Sequence, residues 1–112
     1  MKMTRTELDT LLRTLNCQVF YNHTTRKDTV NLPFIVYLDN GTNNRAADNK
    51  TYAKITNYSI ILYNSKRDEE LEEDIETLLT ENGIPYDISD ISWEDDLLMW
   101  NIQYDIQLWK LT

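Results

Sequence analysis

Apolar residues fall at every second position from Leu98 to Leu108 in "LMWNIQYDIQLW" (98–109), with Asn101, Gln103, Asp105 and Gln107 between them. Successive strand side chains point to opposite sides of a sheet, so this period of two predicts a half-buried strand closed by Trp109. A different period rules "TRTELDTLLRTL" (4–15), where Leu8, Leu11, Leu12 and Leu15 fall at helical spacing behind a Thr4/Glu7 capping box. A second helix is predicted near 67–82. There Leu71, Ile75, Leu78 and Leu79 form one stripe, the early acids suit the positive end of the helix dipole, and Gly83 suits the left-handed residue past the end.

Between and after the helices lie shorter strand patterns. "CQVFY" (17–21), "PFIVYL" opened by Pro33, "TYAKITNYSIILYNS" (51–65) and "YDISDISW" (86–93) are rich in β-branched and aromatic residues. "HTTRKDTVN" (23–31) is polar and reads as a loop. "DNGTNNRAADNK" (39–50) has no periodicity and many turn formers, so it predicts a long connecting loop, mobile in the isolated chain. The order α-β-β-β-α-β-β lacks regular βαβ alternation. It predicts an α+β fold: a mainly antiparallel sheet of four or more strands with two helices packed on one face. The expected core comprises Leu11, Leu15, Leu71, Ile75, Leu78, Trp100, Ile102, Tyr104 and Ile106.

The 112 residues suit a single domain, 1–112. The lone Cys17 has no partner for an internal disulfide and no signal peptide is evident, which points to synthesis in a reducing cytoplasm. No apolar run approaches the roughly 20 residues needed to span a bilayer, so no membrane role is expected. Residues 1–66 carry a net charge of +4 and residues 67–112 a net of −12, giving −8 overall. That balance argues against duplex or sequence-specific nucleic-acid binding, which needs a basic footprint. The split itself suits either a solubilising acidic half or a dipolar surface that meets its own copies. Seven Tyr and three Trp add residue types enriched at interfaces.

Candidate chemistry is sparse. His23 stands alone in a polar loop, and Cys17 lacks a paired histidine motif, so it reads as a small core residue. One Cys and one His cannot supply a zinc site. The carboxylates Asp68, Glu69, Glu70, Glu72, Glu73, Asp74 and Glu76 read as the solvated outside of a helix. Only Gly41 and Gly83 are available to build a phosphate loop. No catalytic, cofactor-binding or metal residues are assigned, and an enzyme is not expected.

From Pro33 onward, about 80 residues, the chain resembles the small tail-terminator (tail-completion) proteins of long-tailed bacteriophages, particularly those of Gram-positive hosts. The resemblance is carried by "PFIVYLDNG", a polar loop, "YAKITNYSIILYNSKRDEELEEDIETLL" and "ISWEDDLLMWNIQYDIQLW", in that order and spacing. It implies a structural virion protein without catalytic residues, forming a homo-oligomeric (hexameric) ring at the head-proximal end of the tail. Its partners would be the major tail protein and the head–tail connector protein. Neighbouring head–tail connector components share the architecture. A different class, an acidic nucleic-acid mimic that inhibits a DNA-binding enzyme, is motivated by the −12 half. In the ring reading, the expected contacts are Asp39, Asn40, Asn43, Asn44, Arg45, Asp48 and Lys50 of the 39–50 segment. Asn101, Gln103, Asp105, Gln107 and Trp109 of the final strand join them.

Carboxylates along one exposed helix make no rigid cage for a hard cation. Calorimetric titration with magnesium, calcium and manganese should therefore show no binding tighter than millimolar; a micromolar site would revive a metal-dependent hydrolase.

Overall fold

The computed structural model describes residues 3–22, 32–47 and 50–111, with the backbone alone at 42–47, 50–54 and 109–111. Its elements run α1 (Arg5–Leu12), β1 (Gln18–Tyr21), β2 (Phe34–Ala47), β3 (Lys50–Asn64), α2 (Glu69–Glu81), β4 (Tyr86–Glu94) and β5 (Met99–Leu111). The strands form one five-stranded mixed sheet in the order β1-β2-β3-β5-β4. The β1–β2 pairing is parallel, and β2–β3, β3–β5 and β4–β5 are antiparallel. The fold is α+β, with strands dominant.

Local chemistry sets the helix ends. The Thr4 hydroxyl accepts from the Glu7 amide and donates to the Glu7 carboxylate, each at 3.2 Å. Asp68 caps α2 by accepting from the Leu71 amide at 3.2 Å. At the far end Gly83 takes φ +70°, its amide donates to the Thr80 carbonyl, and the Ile84 amide reaches back to Leu79. This pair of bonds is a Schellman closure, and it delivers Ile84 into the core.

Alternation then separates the two sheet faces. Ile35, Leu62 and Ile102 lie side by side across β2, β3 and β5, as do Tyr37, Ile60 and Tyr104. All six are buried in one cluster with Leu8 and Leu12 of α1 and Leu71, Ile75 and Leu79 of α2. From this same face the Tyr37 hydroxyl donates to Asp9 of α1, and the Tyr104 hydroxyl donates to Glu76 of α2 at 3.3 Å. Tyr86 donates to the other oxygen of Glu76 at 2.9 Å. Burial, reinforced by the Asp9 contact and opposed by Arg5, pushes the Tyr37 hydroxyl up to about 12. Burial and the nearby carboxylates of Glu76 and Glu72 raise Tyr104 further. Both hydroxyls thus remain protonated donors at neutral pH.

Several expectations are corrected. The 39–50 segment is not a long loop. Residues 39–47 continue β2, and Lys50 opens β3, paired from Ala47↔Lys50 back through Asn43↔Ile55 with one register shift between Arg45 and Ala46. Pairing with β3 satisfies the backbone, which an apolar period is not needed to do; Asp48 and Asn49 lie outside the described residues. A bulge at Asp39/Gly41, with Gly41 at φ +117°, absorbs the irregularity that made this stretch look like a turn. The helix α1 stops at Leu12, so Leu8 and Leu12 are fully buried while Leu11 and Leu15 pack partly exposed; Leu78 does the same in α2. Trp100 is only half-buried. Glu72 is not solvated: it is buried and takes two bonds from Arg67, at 2.8 and 3.0 Å, with that guanidinium 5.6 Å from the Trp100 ring centroid. His23 lies outside the described residues. Cys17 packs against the core, and burial raises its thiol pKa. No helix among the described residues is long and apolar enough to cross a membrane.

Ile102 sits at the centre of the helix-facing side, 1 % exposed. Its replacement by alanine should cost about 2–5 kcal/mol in denaturant unfolding; a loss under about half a kcal/mol, ordinary for a surface site, would mean that this face is not the core.

Candidate interaction surface

The opposite face of the sheet has two zones. On the β1–β3 side, Phe34 stacks on Tyr63 at 4.9 Å between ring centroids and meets Phe20 edge-on at 6.1 Å. Val36 is buried beside them and Ile61 half-buried. On the β3–β5 side the surface turns polar. Asn40 donates to the Ser59 hydroxyl, which also accepts from Gln103 at 3.2 Å and donates to Asp105 at 2.9 Å. Gln103 completes the loop with a 3.0 Å bond to Asp105. Ser59 is thereby used in full, two bonds accepted and one donated, which is why a hydroxyl tolerates complete burial there.

The electrostatics of Asp105 follow from this net. Burial works to raise its pKa, but donors on Gln103, Ser59 and Ser89 outweigh burial and hold the carboxyl below its ordinary value. It is a fixed acceptor rather than a group poised to exchange protons near neutrality. Asn101, one pleat along, donates to Glu94 at 3.0 Å, while its buried carbonyl oxygen has no partner.

The residues expected as contacts are only partly gathered. Asn40, Gln103 and Asp105 meet at Ser59, and Gln107 lies two residues further along β5, opposite Asn57. Asn40, Asn57, Asp105 and Gln107, with Tyr58 and Tyr86, help line an open cleft of about 460 Å³ where β4 begins. Asp39 is turned to local use, accepting from the Gly41 amide at 3.0 Å. Asn43, Asn44 and Arg45 lie out along β2 and Lys50 at the start of β3, while Trp109 lies opposite Ile55. Asp48 is outside the described residues.

Two features escaped the sequence. Ser59 looked like an ordinary polar position in "NYSIILYN", although its alternation with Tyr58 and Ile60 does place it on the amide face. The other is β4, where Ile88, Ile91 and Trp93 stand exposed with Leu97 and Leu98 in the following turn. Ile88 and Ile91 are three apart, yet both lie across from helix-side residues, Tyr104 and Ile102, because a bulge at Ser89 shifts the register.

No group of three or more metal-ligating side chains is gathered among the described residues. What the surface presents is amides and a held carboxylate beside an aromatic strip, chemistry suited to recognition by hydrogen bonds and packing. The chain matches no protein-family model, and no curated protein matches it.

The depressed pKa of Asp105 carries a sign. Its stabilising bonds are complete above the unfolded carboxyl value, near 3.9, and are lost as pH falls through the lower folded value. Asp105→Asn should therefore lower the melting temperature at pH 7, and the gap to the parent chain should close below about pH 4. A gap that persists unchanged at pH 3 would mean that the charge is not what the net holds.

Proposed function

We propose that this chain is a structural virion protein, a tail terminator of a long-tailed bacteriophage that caps the tail tube as a ring and joins it to the head connector. The single observation that best supports this reading is the sheet itself. Buried residues of one face share a single core cluster with Leu8 and Leu12 of α1 and Leu71, Ile75 and Leu79 of α2. The other face offers an aromatic strip and a hydrogen-bonded amide net, with no covering layer among the described residues. A surface with few full charges can be covered by a neighbour at modest desolvation cost. The elongated shape, 51 × 26 × 23 Å, suits a subunit that touches several neighbours. The order and spacing of the strand and helix patterns from Pro33 onward add the resemblance to the terminator family. In this reading the protein acts in the virion, at the head-proximal end of the tail, through binding alone.

The mimic of nucleic acid is the competing reading, motivated by Asp87, Asp90, Glu94, Asp95 and Asp96 along β4 and its turn. The two part company on partners. A terminator is encoded between connector and major-tail genes, and particles made without it should show unattached heads and tails of irregular length by electron microscopy. Normal infectious particles in its absence would sink the terminator reading, and tight binding to a basic DNA-processing enzyme would install the mimic.

A further inference from the structure

Among the described residues, both flanks of the sheet carry open strand edges, and they differ in chemistry. The strand β4 pairs with β5 on one side, and no described strand pairs with its other side. Its helix-side residues Ile88, Ile91 and Trp93 are 45, 45 and 40 % exposed, and Leu97 and Leu98 in the adjoining turn are 60 and 66 % exposed. An open edge with such a row is a template for another strand. The second open edge belongs to β2. Four-residue β1 covers only Phe34–Tyr37, leaving the ten residues Leu38–Ala47 unflanked by any described strand.

We propose that these two edges are partners, nine-residue β4 of one copy pairing with the Leu38–Ala47 stretch of β2 in a second copy. The inference rests on the ring reading only for its biological setting; the contact is defined by this chain's own edges. Strand sense agrees: β2 runs with β5 and opposite to β3 and β4, so β4 meets the β2 of an identically oriented neighbour antiparallel. Length agrees too, since nine-residue β4 fits within the ten residues Leu38–Ala47.

Charge selects this pairing over the alternative. Two β4 edges brought together would lay two acidic strands side by side, each carrying Asp87, Asp90 and Glu94, and neighbouring like charges destabilise a strand pair. The distal end of β2 instead carries Arg45. Beside it β3 brings Lys50 and Lys54, the latter in register with Lys110 of β5. Antiparallel alignment lays the start of β4, with Asp87 and Asp90, along this basic end. The contact joins two different patches, so it propagates from copy to copy and closes into a ring when the rotation permits.

A mixing experiment tests the proposal. One variant, Ile91→Asp with Trp93→Asp, spoils the β4 edge; another, Asn43→Glu with Arg45→Glu, makes the β2 edge acidic. Native mass spectrometry over a concentration series, with melting curves confirming that both variants fold, should show each alone associating about tenfold or more weakly than the parent. Mixed, they should form a one-to-one dimer and nothing larger, because each retains the edge that the other lacks. Raising salt from about 0.1 M to about 1 M, which shortens the Debye length from about 10 to about 3 Å, should weaken parent and mixed complexes alike. Self-association of the β2 variant would show a β4–β4 contact and overturn the pairing. A parent chain that stays monomeric throughout, or variants that assemble like the parent, would overturn it as well. Rings formed by both variants would leave the terminator reading standing on another surface, whereas normal particles without the gene would remove that reading and leave the edge contact intact.

Discussion

Two buried tyrosines, each with its hydroxyl held by a helix carboxylate, tie the layers of this protein together. Tyr37 and Tyr104 flank Ile60 in one cross-strand row; their rings complete the core, and their hydroxyls reach Asp9 of α1 and Glu76 of α2. A buried hydroxyl without a partner would cost more than the ring's burial gains at the margin, so the position of each helix is constrained as well as covered. Asp9 also holds Arg13, the C-cap of its own helix, while Glu76 also holds Tyr86 at the start of β4 and so gathers a further strand to the same point.

The helices are short beside the sheet that they cover. At about 3.3 Å per residue, fifteen-residue β3 spans roughly 50 Å, close to the 51 Å long axis, while eight-residue α1 at 1.5 Å per residue spans only about 12 Å. Among the described side chains, burial gathers around Ile35, Ile60 and Ile102, towards the start of β2 and the end of β3. The β4 flank falls beyond it. Backbone pairing carries the β2–β3 hairpin, and β4 keeps three large apolar side chains half in water.

Charge follows the same geometry. Arg45, Lys50, Lys54 and Lys110 come from three separated stretches of sequence, yet register sets them at one end of the sheet. The acids of β4 and its turn, together with those at the start of α2, gather towards the other end, because β4 turns into β5 where β3 leaves for α2. The overall −8 is thus divided between poles rather than spread evenly.

The sequence by itself determined both helices, the cap of the first and the stop of the second, and the final strand with its two faces. Those signals are local: leucine stripes, the Thr4/Glu7 capping box, the early acids of the second helix, Gly83, and a period of two from Leu98 to Leu108. Residues 39–47 were illegible as strand because they are polar on both faces; their pairing comes from β3, and backbone hydrogen bonds leave no mark on side-chain pattern. The burial of Ser59 required Asn40, Gln103 and Asp105 to arrive from two other strands. Glu72 turned inward because Arg67, itself placed over the Trp100 ring, met it there. Ile88 and Ile91, three apart, reached the same side only through the bulge at Ser89. Local periodicity decides which element forms and which face it buries. Register, bulges and the partners of polar groups are set between strands distant in sequence, and the tertiary structure alone decides them.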